Sequence, residues 1–472
     1  MIKNRFDYLT LIGYLFILTL LITTSNNCFF WDTIQLGSKH ANYFFSTSFS
    51  ELLLPDNIDS GHIPTFGMYI ALIWKLFGQN LVASHLSMLP FVLGILWQLR
   101  KLVKKFVPKE YVGLAFLLIL IDPTLLSQMT LVSPDIPLVF FFLFGINNLF
   151  INRRLLLSIS IILLFLISMR GMMVSFCLLI VDLIYNISFS KPLKSLSFSI
   201  LKRSLIYLPA LFVFIAFSLY HYSVKGWIGF HANSPWAESF ENVGVKGFLY
   251  NIGVLGWRII DFGRIGIWIV FLILYIKFKI GILKNKQTFS LFLVFLVFLV
   301  VLPANMLWAK NLLGHRYLLP IYLVFSLLCA NILFTQKLSK ITRFLLVSIW
   351  LVIELTGNLW VYPEKISQGW DSTLAHLPYY QLRQDCFNYI DKNKINYEDI
   401  SGGFCLYGNR RYIELMNADL TINTDKKRPY YLYSNISNVD DEFLIELKDD
   451  SKWSAIKSFE SGFVVIRIYK KK

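Results

Sequence analysis

Residues Asn26 to Gly78 read NNCFFWDTIQLGSKHANYFFSTSFSELLLPDNIDSGHIPTFGMYIALIWKLFG, and how many times this stretch meets the membrane decides the fold. It follows a first hydrophobic segment, Tyr8 to Thr24, and precedes another, Leu81 to Leu99. Its own apolar part, Ile63 to Phe77, is hydrophobic enough to be a second span. The basic cluster Arg100, Lys101, Lys104 and Lys105 argues otherwise, because two crossings would leave it outside, against the positive-inside rule. One crossing, by Leu81 to Leu99, puts it inside. Fifteen helical residues also reach only about 22 Å, short of a ~30 Å hydrocarbon core. Residues 26–78 are therefore expected to be one continuous outer loop holding an interfacial helix, with Tyr69 and Trp74 at headgroup depth.

The rest of the chain supports a membrane setting. Of 472 residues 56% are hydrophobic and 17% aromatic, and only 16% are charged, more apolar surface than a soluble core buries. The net charge of +16 is no nucleic-acid footprint. Residues 358–472 hold 16 Lys/Arg and 16 Asp/Glu, so the whole excess lies between hydrophobic runs of residues 1–357.

Lys3 and Arg5 before Tyr8 to Thr24 read as an uncleaved signal anchor with a cytoplasmic N-terminus. Further spans are expected at Tyr111 to Leu126, Ile136 to Ile151, Leu155 to Met169, Met172 to Ile187 and Leu205 to Tyr222. Ile265 to Ile276, Phe289 to Leu302, Tyr317 to Phe334 and Phe344 to Trp360 follow. That makes an α-helical polytopic membrane protein of about eleven spans, N-terminus inside and C-terminus outside. Each strong basic cluster, including Lys191, Lys194, Lys202 and Arg203, then falls on one side. Residues 361–472 read as a small α/β extracytoplasmic domain after a transmembrane domain of residues 1–360. Tyr379 to Asp391 has one apolar helical face, and Tyr430 to Ser434 and Phe463 to Tyr469 have strand character. Cys386 and Cys405 lie in this domain, and their spacing leaves a disulfide open.

Polar residues expected at the outer face are the candidates for chemistry, because charge near hydrocarbon is costly. They are Asp32 after the first span, His62 in Gly-His-Ile-Pro, Asp135 in SPDIP, and Arg170 between the fifth and sixth spans. Arg258, Asp261 and Arg264 lie in the interfacial stretch NIGVLGWRIIDFGR, and His315 and Arg316 in GHRYLLP. Singly, each cation is as well explained by lipid headgroups and each carboxylate by pairing; together they suggest a site.

Their order resembles the GT-C fold glycosyltransferases of the protein O-mannosyltransferase and aminoarabinose transferase type, family 39 or the related family 83. Asp32, then GHIPTFGMYIALIWKLFG and ASHLSMLPFVLGIL, follow stretches of those families resembling GHPPLYYWLLALWFKLFG and ARLPSALLGL. Asp135, Arg170-Gly171, and Arg316 and Tyr317 with Pro320 match their later signatures. Residues 1–190 carry most of the likeness; Asp32-Thr33 stands where Asp-Glu is frequent, and His85 where an Arg usually opens the second span.

The resemblance implies a multi-pass enzyme of a bacterial inner membrane. It would transfer a hexosyl or pentosyl unit from a polyprenyl-phosphate donor to a lipid, glycan or protein acceptor at the outer face, with inversion. Asp32 would be the base and Asp135 a second catalytic carboxylate. Arg170, Arg316, Arg258 and His62 would receive the donor phosphate, His62 being equally placed to shape its turn. Outside the resemblance, which does not reach GWDSTLAHLPYY, Trp370, Asp371 and His376 are expected to meet acceptor or the membrane rim, or equally to seat the C-terminal domain on a headgroup layer. A divalent cation is left open: Asp32, Asp135 and His62 offer ligands, but without a metal-site spacing. The competing class is a transporter or flippase, for which repeated halves and interrupted helices would be expected, and no repeat is found.

Overall fold

In the computed structural model, residues 8–187, 193–229, 231, 234, 237–311, 313–417 and 419–472 are described. Lys3, Arg5 and Lys191 lie outside them. The membrane half contains α1 (Tyr8–Thr23), α2 (His40–Ser46), α3 (Thr65–Phe77), α4 (Leu81–Leu86), α5 (Leu89–Phe106), α6 (Val112–Leu120), α7 (Pro123–Met129), α8 (Asp135–Phe150) and α9 (Arg154–Ile167). It continues with α10 (Met169–Asn186), α11 (Leu193–Ser204), α12 (Leu208–Lys225), α13 (Gly244–Ile260), α14 (Ile265–Phe278), α15 (Lys286–Val301), α16 (Leu319–Thr335) and α17 (Lys340–Thr356).

Each of the eleven expected spans overlaps helix, all but the third mainly a single helical segment. Among the described residues six helical segments are long and apolar enough to cross a membrane, and bent pairs raise the number to eight. Tyr8–Thr23, Asp135–Phe150 and Arg154–Ile167 are shorter apolar helices. The third expected span, Tyr111 to Leu126, is not one rod. Its helix stops at Leu120 and resumes in α7 after a 73° bend, because Asp122 accepts from Leu125 N (2.9 Å) and caps a new helix opened by Pro123. A second bend of 86° separates α13 from α14 at Asp261–Arg264.

The bundle is organised around α16, on which every side chain from Leu319 to Phe334 is buried. A helix apolar on all sides needs neighbours on all sides. Its N-terminal end therefore emerges at the centre of the bundle, carrying His315 to Leu318 as a 3₁₀ turn.

The first loop is helical and packed. A π-helical turn, Ile34–Lys39, runs into α2, and α3 lies on α2 so closely that a Cβ on Gly67 would meet the His40 Cβ at 2.4 Å. At 13 residues α3 is about 20 Å long, too short to span. Trp74, expected among headgroups, is instead buried and donates to Ser84 Oγ (2.7 Å). Tyr69, half-buried, donates to Ser87 O (2.7 Å).

After α17 come α18 (Pro378–Lys392), β1 (Ile400–Gly402), β2 (Gly408–Asn409), α19 (Arg410–Ile413), β3 (Thr421–Ile422), β4 (Tyr430–Ser434), α20 (Asp441–Leu447), β5 (Trp453–Ser461) and β6 (Val464–Lys471). The main sheet has the order β1-β4-β6-β5, with β1 parallel to β4 and the other pairs antiparallel. The expected helix and both expected strands are present. Cys386 and Cys405 are buried free thiols, not a disulfide. The apolar core of this region also takes in Cys28, Phe30 and Leu131. Phe30 stacks on His376 (5.0 Å between ring centres) and meets Tyr379 edge-on (5.4 Å), while Phe29 N donates to Ile413 O (3.0 Å). The first loop is thus a packing partner of the C-terminal region.

Candidate active site

Four separate turns deliver charged side chains to one point. Asp32 follows Trp31, whose φ of 51° is unusual for a bulky residue and is held by reciprocal hydrogen bonds between Thr33 and Phe30 (2.9 and 2.7 Å). Asp135 opens α8, where the helix dipole favours a carboxylate, and Ser133 Oγ accepts from its backbone N–H (3.2 Å). Arg170 lies in the first turn of α10, capped by Ser168, in a hairpin so tight that a Cβ on Gly171 would stand 1.9 Å from Leu164 O. Arg316 sits on the turn leading into α16.

Arg316 is the hub. Its guanidinium donates through Nη2 to Asp32 and through Nη1 to Asp371, and its Nε lies 3.4 Å from Asp135 Oδ2. Arg170 donates to the other oxygen of Asp135 and lies over the Tyr317 ring, 4.0 Å from its centre. Tyr317 OH accepts from Arg316 Nη2 (3.0 Å). Three carboxylates and two guanidiniums thus share one cluster. Its side chains are unequally open: Asp32 is 29% exposed, Asp135 3% and Asp371 5%.

Asp371, Trp370 and His376, read from sequence as meeting acceptor or the membrane rim, are all buried. The reason is α7, created by the bend at Asp122. Ser127 Oγ and Gln128 Nε2 both donate to the Asp371 carbonyl (2.8 Å each), and Thr124 Oγ1 donates to Ser372 O (3.1 Å). Gln128 Oε1 accepts from Ser133 Oγ (2.7 Å), which joins the Asp371 turn to the Asp135 turn. His376 packs on Phe30, and its Nδ1–H donates to Thr373 O (2.7 Å).

His62 lies beside this cluster, not inside it. Its Nδ1 accepts from Met169 N (3.4 Å), and burial, reinforced by the Arg170 charge, pushes the imidazole down to about 3. A neutral ring offers a phosphate an N–H, not a charge. His62 and Arg170 line an open cleft of about 340 Å³ with His40, Pro64, Pro134 and Ser168. A second, largely apolar cleft of about 330 Å³ lies behind it among Ile63, Met169, Met172, Phe214, Phe217 and Ile228.

Arg258 belongs to a different group. It lies 3.7 Å from Asp261 Oδ2 and over the Trp257 ring (4.3 Å). Asp261 accepts from His315 Nε2 (2.8 Å), Phe262 N (2.8 Å) and Tyr362 OH. Asp32, Asp135 and His62 do not gather into a ligand set, and among the described residues no group of three His, Cys, Asp or Glu side chains is arranged to hold a metal. His85 is buried with Nε2 2.9 Å from Asn27 O, a structural tie. Sequence reasoning missed Asp122, Ser127, Gln128 and Ser133. Their only signal is the Asp-Pro pair that starts a helix inside an apolar run.

Fold and site together define a polytopic, largely helical membrane protein with a charged cluster where loops between helices meet. The crystal structure of ArnT from Cupriavidus metallidurans bound to undecaprenyl phosphate aligns with 97% of both chains, at 11% identity and a TM-score of 0.51. ArnT from the same organism in the apo state also covers 97% of both, at 10% identity and a TM-score of 0.49. At such identities the likeness is one of fold. No protein-family model matches the sequence, and no curated protein matches it.

Proposed function

We propose that this chain is an integral membrane glycosyltransferase moving a sugar from a polyprenyl-phosphate donor to a hydroxyl of a lipid, glycan or protein acceptor. The observation that carries this is the convergence of Asp32, Asp135, Arg170 and Arg316, chosen from sequence on four distant segments, into one cluster.

The chemistry follows from the parts. Attack of a hydroxyl on the anomeric carbon releases a proton, and Asp32, the open carboxylate, receives it. The bond from the anomeric carbon to the phosphate oxygen breaks with its electron pair on oxygen. That leaving phosphate needs positive charge aimed at it and no proton, and Arg170 and Arg316 supply the charge. A single displacement inverts the anomeric centre. Asp135 orients both arginines. The His62 cleft would seat the phosphate, and the apolar cleft behind Met169 the first prenyl units. On this reading the site opens at the outer face, where the basic clusters place these loops. The bound undecaprenyl phosphate of the ArnT structure supports a donor of this class.

The test is Asp32→Asn in membranes supplied with a labelled polyprenyl-phosphate sugar. Transfer is expected to fall ~10²–10⁴-fold with protein level unchanged. Unchanged transfer would remove Asp32 as base.

A further inference from the structure

The cluster has an imbalance of charge that its geometry answers. Two guanidiniums, Arg170 and Arg316, face three carboxylates, Asp32, Asp135 and Asp371. A phosphodiester entering this site brings a further negative charge and must take hydrogen bonds from an arginine already committed to carboxylates. One carboxylate has to give way.

The three are not equivalent. Asp135 keeps Arg170, its own helix N-terminus and Ser133 whatever Arg316 does. Asp32, 29% exposed, reaches solvent and can exchange Arg316 for water. Asp371 has Arg316 and otherwise Ser372 Oγ (3.1 Å). Its backbone is held in place, because Ser127 and Gln128 donate to the Asp371 carbonyl and Thr124 to that of Ser372. Without Arg316 it would be an isolated buried anion, which a protein avoids by protonation.

We propose that Asp371 is a positioning residue that holds Arg316 in the empty site and, when an anionic phosphate binds, takes a proton from solvent and releases Arg316 to the phosphate. This rests on the cluster being the donor-phosphate site. No bond between heavy atoms changes: a solvent hydronium gives its proton to an Asp371 carboxylate oxygen, leaving water, and the Arg316 Nη1 hydrogen bond passes to a phosphate oxygen. The groups facing Asp371 agree. Burial, then the charges of Asp32 and Asp135, push its carboxyl above the ordinary value, against Arg316 and Ser372. Tyr380 faces it from α18, Ser127 and Gln128 from α7 are uncharged, and His376, 3.5 Å from Ser127 Oγ, is held neutral by burial.

The experiment uses the full chain in lipid nanodiscs and undecaprenyl methyl phosphate, a phosphodiester whose own charge is constant. Calorimetry in two buffers of different ionisation enthalpy counts protons. Wild type is expected to take up about one proton per phosphate at the alkaline end, with affinity falling up to ~tenfold per pH unit there. Asp371→Asn is expected to bind at least ~tenfold more tightly at that end and independently of pH. Wild-type binding without proton uptake would overturn the proposal and leave the donor site standing. So would an Asp371→Asn variant that binds more weakly with the wild-type pH profile, as a purely structural role predicts. No binding by wild type at any pH would overturn the donor site itself.

Discussion

Two arginines, the buried Arg264 and the part-exposed Arg316, show how differently one protein uses the same ion. Arg264 donates to both oxygens of Asp122 (2.8 and 2.9 Å), to Thr124 Oγ1 (2.6 Å) and to Asp261 O (3.2 Å), and lies flat on Tyr322 (3.7 Å). It has one carboxylate partner and is sealed: both side chains are nearly inaccessible. Arg316 has three carboxylate partners, one of them open to solvent. A neutral, saturated pair fixes the bend between α6 and α7. A cluster with surplus negative charge and an open side is arranged for a ligand to change it.

The comparison can be broken at several points. The largest expected effect is Arg264→Leu, which strands Asp122 as an unpaired buried charge and should cost ~3–5 kcal/mol of stability. Thermal unfolding in detergent measures it. Adding Asp122→Leu should recover most of the loss, since a buried pair replaced by apolar groups is often neutral. If the double variant stays as unstable as the single, Arg264 is more than a structural ion.

Arg316→Lys keeps the charge but loses the planar fork that reaches several partners. The fold should persist while transfer drops ~10²–10³-fold, the scale for losing one well-aimed transition-state donor. Equal losses in stability and transfer would place Arg316 with Arg264.

Acid should weaken the packing around His376. Burial holds His376 down at about 4, against 6.5 for the free group. The unfolded chain therefore takes up a proton as pH falls through 6.5, and the folded chain does not until about 4. The stability contribution is complete above pH 6.5 and is lost between there and pH 4, by up to ~3 kcal/mol. His376→Gln should flatten that limb of the stability-pH curve. The smallest effect is Gln128→Ala, which cuts the link between the Asp371 and Asp135 turns and should cost ~1–2 kcal/mol. Its transfer should fall by more than its stability, because Arg316 loses its fixed partner.

The candidate set was legible in sequence to different depths. Asp32, Asp135, Arg170 and Arg316 stand out because charge at the end of an apolar run is expensive and needs a reason. Arg258 has the same signature, yet folds into the Asp261, His315 and Tyr362 group instead. Trp74 reads as an interfacial aromatic but is buried on Ser84, because α4 follows α3 after a turn too short for a span. Asp371 is the clearest miss of position. Nothing in GWDSTLAHLPYY tells that its carboxylate reaches an arginine more than fifty residues earlier.

For residues 26–78, the sequence by itself carries the expectation that Ile63 to Phe77 is too short to span and, from the basic cluster after Leu99, that the stretch is followed by one crossing, not two. Hydrocarbon thickness and loop charge are local rules, and a linear pattern carries them. Only the tertiary structure decided that the start of this loop, Cys28 to Trp31, packs into the C-terminal core, that Asp122 breaks an apolar run to build α7, and that α7 carries Asp371 to Arg316. Those outcomes depend on which distant polar groups satisfy one another once water is excluded, a condition set by packing in three dimensions and written in no single stretch of the chain.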